Sequence, residues 1–271
     1  MQNKINFSPQ RGYERLSRNR SFGKTPTAEI IQFGTKTKPT ENVFNQILNA
    51  LPASERAIIL SYAEKVDFSA GENVYQPGCD VKYIYFPETV VFSECQILED
   101  GRTCEVAVIG NEGLIGLSHV FGWGEAMNWT EVCLAGSAYK ISSDMLTGSY
   151  KSFETLRTEL NKYVSQYIRQ LTQRIICNCY HQIRERFCSW LLMLQDRKGD
   201  KLFLTQDQMA RLIGVQRPSL SLIAKEFRDK KIISYTRGRI ELLDREELIK
   251  GACSCYVPKA SEVEELSVIG F

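Results

Sequence analysis

The apolar positions of this chain change their period several times, and each change predicts a different kind of element. Residues 1 to 40 carry no regular apolar spacing, and Ser, Thr, Gly and Pro are spread through SRNRSFGKTPTAEIIQFGTKTKPT, which predicts a disordered tail. Helical spacing begins at Val43, Phe44, Ile47 and Leu48 and resumes at Ile58, Ile59 and Tyr62, as in two short packing helices. From Val66 to Ile141 the texture becomes short β-rich runs punctuated by glycine and proline, such as AGENVYQPGCD and EVCLAGSAYKIS. Asp100-Gly101 between two alternating runs predicts a type I′ hairpin, with Val106 and Val108 on one face and Glu105 and Ala107 on the other. Many short, closely spaced strands predict a small antiparallel barrel or roll.

A long helix follows, from about Lys151 to Tyr180. Leu160, Val164, Tyr167, Leu171 and Ile175 are separated by steps of four, three, four and four, close to a seven-residue repeat. About 30 residues at 1.5 Å each reach about 45 Å, more than one small domain covers, so this stripe is the candidate dimer seam. A second helix, YHQIRERFCSWLLMLQDR, places Ile183, Phe187, Trp190, Leu191 and Leu194 on one face.

The segment TQDQMARLIGVQRPSLSLIAKEF has a tighter pattern. With Gln206 as position 1, Met209, Ile213, Val215, Leu220 and Ile223 fall at 4, 8, 10, 15 and 18, Ala210 at 5 and Gly214 at 9. That is helix-turn-helix spacing: a small residue where the second helix crosses, and glycine where the turn needs a positive φ. Thr205 and Gln208 read as a capping box, and Pro218 falls in the first turn of the second helix, where its missing N–H costs little. Two short strands around Arg237-Gly238 then predict a basic wing. Arg217 is the candidate for a bidentate contact to guanine, and Ser219 and Ser221 for bases or phosphates. Gln216, Lys225, Arg237 and Arg239 are candidates for phosphates or flanking bases, and Thr205 and Gln206 complete the DNA-contacting set.

Charge supports a polyanionic partner for this end. The chain of 271 residues has a net charge of only +2, but residues 41–150 carry −10 and residues 151–250 carry +8. A composition of 43% apolar and 24% charged residues is that of a water-soluble globular protein. No apolar run has membrane-span length and no signal peptide is recognisable, so a cytoplasmic protein without membrane contact is expected. Nine cysteines without regular spacing read as reduced thiols. Cys177 and Cys179 face different sides of a helix. Cys177, His181 and Cys188 share a side but span about 16 Å, too far for one metal ion. Cys253 and Cys255 form another close pair with no histidine nearby in sequence. No metal site, cofactor or catalytic residue is therefore expected.

The order of these features resembles the cyclic-AMP receptor and fumarate-nitrate regulator (Crp/Fnr) superfamily over about Asn42 to Tyr256. The resemblance is carried by GENVYQPG, VIGNEGLIGL, CNCYHQIRERFCSWLLMLQDR, the helix-turn-helix and YTRGRIELLDREEL. It implies an α+β chain with a sensory β-roll (cupin-like, the cyclic-nucleotide-binding-domain fold) over 41–150, a dimerisation helix over 151–180 and a winged helix-turn-helix over 181–256. The tails are 1–40 and 257–271. It further implies a homodimer on a two-fold symmetric double-stranded DNA operator, with RNA polymerase as a further partner. The superfamily's recognition-helix arginine lines up with Arg217, while its glutamate falls on Pro218 and its second arginine on Leu222.

The effector positions depart from the cyclic-nucleotide pattern. Where relatives have Gly-Glu, Gly116 is followed by Leu117; where they have Arg-Ser or Arg-Thr, Met127 and Asn128 stand. Gly113, Gly116, Leu117, Met127 and Asn128 are thus the candidate pocket for a small effector that is not cyclic AMP, since a desolvated phosphate would find no cation there. Residues 1 to 78 lack cysteine, so the N-terminal iron-sulfur arrangement of some relatives is not expected. The alternative reading is a small-molecule or redox-sensing module on the same scaffold, using Cys177, Cys179 or Cys188.

Overall fold

The computed structural model describes residues 43–257; the expected tails over 1–40 and beyond 257 lie outside the described residues. The chain opens with α1 (Gln46–Ala50) and α2 (Ala53–Ser61). Asn45 caps α1, accepting the Leu48 N–H at 3.2 Å, while its own amide donates to Pro87 O and Gly113 O at 3.1 and 2.9 Å. One buried side chain thereby fixes the helix start to the roll.

The roll contains β1 (Glu64–Phe68), β2 (Asn73–Tyr75), β3 (Tyr83–Pro87), β4 (Val91–Ile97) and β5 (Thr103–Ile109), the single turn α3 (Leu117–Val120), then β6 (Trp129–Leu134) and β7 (Gly136–Ser142). Its strands form two antiparallel sheets, ordered β1-β7-β3 and β2-β6-β4-β5. Phe92, Ala107, Ile109 and Val132 fill one core. Ile84, Phe86 and Ile141 meet α1, α2 and the following helices in another.

Two sequence expectations need correction here. The β4–β5 connection is not a two-residue type I′ turn, because of its residues only Gly101 has positive φ, at 83°. The Gly101 N–H closes a turn onto Leu98 O at 2.9 Å and the Leu98 N–H bonds Arg102 O at 2.8 Å, giving a longer loop. Strict alternation in β5 also fails. Glu94 pairs with Ala107 but Cys95 pairs with Glu105, so Val106 is an extra, bulged residue. The bulge reverses the side-chain parity. Glu105 and Val108 therefore share the outer face, and Ala107 and Ile109 point into the roll.

Next come α4 (Ser143–Ser152) and the long α5 (Glu154–Tyr180), about 40 Å at 1.5 Å per residue. The expected seam is corrected as well. Leu160 is 0% exposed within its own chain, in a cluster with Leu156 and Tyr163, and Tyr167 hydrogen-bonds Glu94 of β4. The heptad-like stripe is thus spent largely on the roll. The large apolar side chains of α5 left exposed are Ile175, the last member of that stripe, and Ile168, Ile176 and Tyr180.

After α5 the chain turns at His181-Gln182 into α6 (Ile183–Lys198), β8 (Lys201–Phe203), α7 (Gln206–Ile213), α8 (Arg217–Asp229), β9 (Ile233–Thr236), β10 (Arg239–Leu242) and α9 (Arg245–Gly251). A third antiparallel sheet has the order β8-β10-β9. Phe187, Trp190, Leu191 and Leu194 are buried as the period of α6 predicts, but so are Cys188, Ser189 and Leu192. The reason is that α6 is covered on two sides. One core joins Val91, Cys95, Val108, Cys133 and Leu134 on the outside of the roll to α6, α7, α8 and the wing.

Glu105 is the polar centre of this junction. Its carboxylate pairs with Arg174 of α5, accepts the Trp190 indole N–H at 2.9 Å and accepts the Ser93 hydroxyl. Further ties across the junction are Arg211 to Glu131 at 2.7 Å, Arg197 to Glu112 at 2.6 Å, and the Lys198 ammonium on Thr89 O and Ala135 O at 2.7 and 2.6 Å.

Candidate nucleic-acid interface and ligand cavity

Local chemistry builds the helix-turn-helix. Thr205 accepts the Gln208 N–H at 3.2 Å and Gln208 Oε1 accepts the Thr205 N–H at 2.9 Å, the reciprocal cap expected for α7. Gly214 ends that helix at φ 73° and ψ 44°, a left-handed conformation that a Cβ would strain. The Val215 N–H then closes onto Ala210 O at 2.9 Å, and the chain enters α8 with Pro218 in its first turn. Met209, Ala210, Ile213, Leu220, Ala224 and Phe227 are all buried between the two helices and the wing. The turn lies against the roll, since a Cβ on Gly214 would stand 3.5 Å from Thr103 O.

On the outer side, α8 exposes Arg217, Pro218, Leu222 and Lys225, with Ser219 and Ser221 half-buried beside them. The Ser221 hydroxyl donates to Gln206 Oε1 at 2.7 Å, so these two candidates meet. The Arg217 guanidinium pairs with Asp207, Nε to Oδ1 3.3 Å, in an exposed pair of little worth. Gln216 is exposed at the N-cap of α8. Arg237 and Gly238 both have positive φ, 47° and 78°, and link paired residues Thr236 and Arg239 in a two-residue turn. Arg239 lies over the Phe203 ring at 5.5 Å, and Arg237 is exposed at the wing tip. Sequence reasoning left Leu222 aside as a departure from a family pattern. At 71% exposure, one turn on from the exposed Pro218, it is an apolar group aimed outward.

A cavity of about 410 Å³ lies between the roll, α3 and α5. Gly116, Leu117, Met127 and Asn128 line it as expected. Gly113 does not: its Cα sits under the Tyr163 ring, and a Cβ would meet that ring at 2.4 Å. Among the described residues that line the cavity there is no lysine, arginine or histidine. Its one charged type is Glu94, which accepts the Tyr167 hydroxyl and, at 2.9 Å, the Asn128 amide. Burial raises the Glu94 pKa, and these two hydrogen bonds oppose the rise only in part. Burial and the neighbouring Glu94 carboxylate raise that of Tyr167. Glu94 was missed in the sequence, although it shares a strand face with Phe92, where an acidic residue has no reason to be unless something polar faces it.

The expected thiols Cys177, Cys179 and Cys188 do not form a group. Cys179 is exposed, and Cys188 is buried against Gly251. Cys177 instead meets Cys253, Sγ to Sγ 3.3 Å, and Cys255 lies 3.5 Å from His181 Nδ1. Cys253 and Cys255, which have no histidine near them in sequence, are thus brought to His181 by the packing of α9 on α6.

A roll joined through a long helix to a winged helix-turn-helix, with a cavity beside the long helix, defines the architecture of the Crp/Fnr regulators. Residues 185–250 match the family model of the Crp-like helix-turn-helix domain. No curated protein matches the chain. Among solved structures, FixK2 from Bradyrhizobium japonicum superposes with a TM-score of 0.62 at 16% identity, over 71% of this chain and 98% of that one. TTHB099, a CRP-family transcriptional regulator from Thermus thermophilus, gives 0.62 at 16% identity over 71% and 99%. CLP from Xanthomonas campestris, described as a c-di-GMP-responsive global regulator, gives 0.59 at 15% identity over 70% and 99%. The chain thus has the Crp/Fnr fold and carries a Crp-like helix-turn-helix. No helix among the described residues is long and apolar enough to cross a membrane.

Proposed function

We propose that the chain is a homodimeric, sequence-specific DNA-binding transcription regulator whose roll receives an effector other than a cyclic nucleotide. The observation that carries the first part is the outward face of α8, where Arg217, Ser221, Leu222 and Lys225 stand beside the basic wing. A helix seated in the major groove presents such a face to base edges, while Lys225, Arg237 and Arg239 neutralise phosphates. Arg217 suits guanine O6 and N7, and Leu222 suits a thymine methyl group. Duplexes selected from a random pool by the purified chain are expected to share a two-fold symmetric motif, with affinity falling steeply as salt rises. Arg217→Ala is expected to lose about 1–3 kcal/mol of discrimination at one base pair of each half-site, measured by competition between matched and mismatched duplexes. Equal discrimination in the variant would remove Arg217 from base reading, and failure to select any motif would remove the regulator assignment.

The cavity supports the second part. A cyclic phosphate entering it would lose its hydration and meet Glu94 rather than a cation. The same reasoning applies to the cyclic dinucleotide in the description of CLP. The lining suits a largely apolar, uncharged molecule with a group that can hydrogen-bond to Asn128 or Thr130. Millimolar cyclic AMP is expected to leave both the thermal midpoint and the DNA affinity unchanged, and a saturable shift in either would overturn this reading.

A further inference from the structure

Cys177, His181, Cys253 and Cys255 converge from two ends of the C-terminal half, and we propose that they form a Cys3His site for a single thiophilic divalent ion, zinc by preference. The Sγ atoms and the imidazole nitrogen all lie within 4.8 Å of one another. Zinc–sulfur bonds of about 2.3 Å in a tetrahedron put sulfurs about 3.8 Å apart, so the four groups need only small adjustments to close on one ion. The local architecture explains the convergence. Cys177 lies in the last turn of α5 and His181 caps that helix, its N–H bonded to Cys177 O at 3.2 Å, while Cys253 and Cys255 alternate in the segment after α9.

The surroundings are those of a held site. Ser189 Oγ accepts the Cys253 N–H at 3.2 Å and lies 3.1 Å from its Sγ, fixing that thiol. Cys177 and Cys253 are buried, while His181 and Cys255 are half-buried. Cys177 and Cys255 also line a groove of about 620 Å³ along α5, which leaves a route for an ion from solvent. Three thiolates and a divalent ion leave one negative charge, and Arg186 lies within electrostatic reach of Cys177 and Cys253. Binding converts three thiols to thiolates and releases their protons to water, with no change of oxidation state. The choice of zinc follows from the sulfur-rich donor set and from atoms spaced for one ion rather than a cluster.

The position gives the site a role. Cys177 and His181 flank the turn from α5 into α6, and the other two ligands follow the last helix of the DNA-binding unit. An ion here ties the end of the long helix to the far end of the winged helix-turn-helix and fixes the joint between them. The regulatory half of this inference rests on the proposed DNA-binding function; the binding site itself does not.

The test uses the full-length chain, reduced, stripped with chelator and reloaded with zinc alone. One zinc per chain is expected after gel filtration, and cobalt in its place is expected to give the absorption bands of tetrahedral thiolate coordination. Cys255→Ser and His181→Ala, both at half-buried positions, are expected to lose stoichiometric metal, while Cys179→Ser keeps it. Circular dichroism of each variant separates loss of metal from loss of fold, and should His181→Ala not fold, Cys255→Ser carries the test. A folded, reduced wild-type chain that takes up no zinc overturns the site. So does full retention in both ligand variants, or a Cys177–Cys253 disulfide that forms in preference to metal binding. Because these readouts need no DNA, a chain that binds zinc and selects no operator would refute the regulator reading and leave the site standing. Hydrogen exchange at 177–182 slowed by zinc is the expected sign that the joint is fixed.

Discussion

Glu105→Ala is expected to destabilise the chain by about 3–5 kcal/mol, the usual cost of removing one partner from a buried ion pair. The side chain of Glu105 is 0% exposed and that of Arg174 12% exposed, so the guanidinium left behind could regain little hydration. The Trp190 indole N–H and the Ser93 hydroxyl lose an acceptor in the same step. Because these partners sit on β4, α5 and α6, the loss falls on the junction between the roll and the DNA-binding unit. Urea unfolding followed by tryptophan fluorescence measures it. Glu105→Gln, which keeps an acceptor for Trp190 but not the charge, is expected to fall between alanine and wild type. A loss below about 1 kcal/mol in the alanine variant would show that the junction is held by its apolar core alone.

Ile175→Glu is expected to convert the proposed dimer to monomers. Ile175 is 64% exposed on α5 in the single chain, and a second copy of the same helix would cover it. In a two-fold interface one substitution appears twice. At roughly 2 kcal/mol for each centrally placed apolar side chain, the dimer weakens by about 4 kcal/mol, roughly a thousandfold in its dissociation constant. Sedimentation velocity reads the result directly. The fold of each subunit is expected to survive, since Ile175 belongs to none of the buried clusters. A variant that sediments with the wild type would place the pairing surface elsewhere, and Leu160→Ala, by contrast, is expected to damage the subunit itself.

Much of the architecture was legible where local rules act. The reciprocal cap at Thr205, the left-handed Gly214 and the buried positions of α7 and α8 all follow from residues a few places apart. Arg217 could be named because the same pattern fixes which helix face remains outside. The candidate ligand site was legible only in part. Met127 and Asn128 line the cavity, but Glu94 was hidden in a strand whose register shifts at neighbouring pairs. A period-2 reading cannot survive a bulge, because one unpaired residue exchanges inside for outside along the rest of the strand.

The order of residues by itself determined the class of the main elements, the corner between α7 and α8, the wing and the absence of a phosphate-binding cation at the expected effector positions, because backbone geometry, capping and charge are properties of short stretches. Which surface each apolar stripe covers was decided only by the tertiary structure. Leu160 and Tyr167 looked free for a second copy and turned out to be claimed by the roll. The meeting of His181 with Cys255 is of the same kind: 74 residues separate them, and they become neighbours only because α9 is packed on α6. Periodicity states that a face will be buried; it does not contain the distance between two faces, and that distance is what makes a partner or a ligand set.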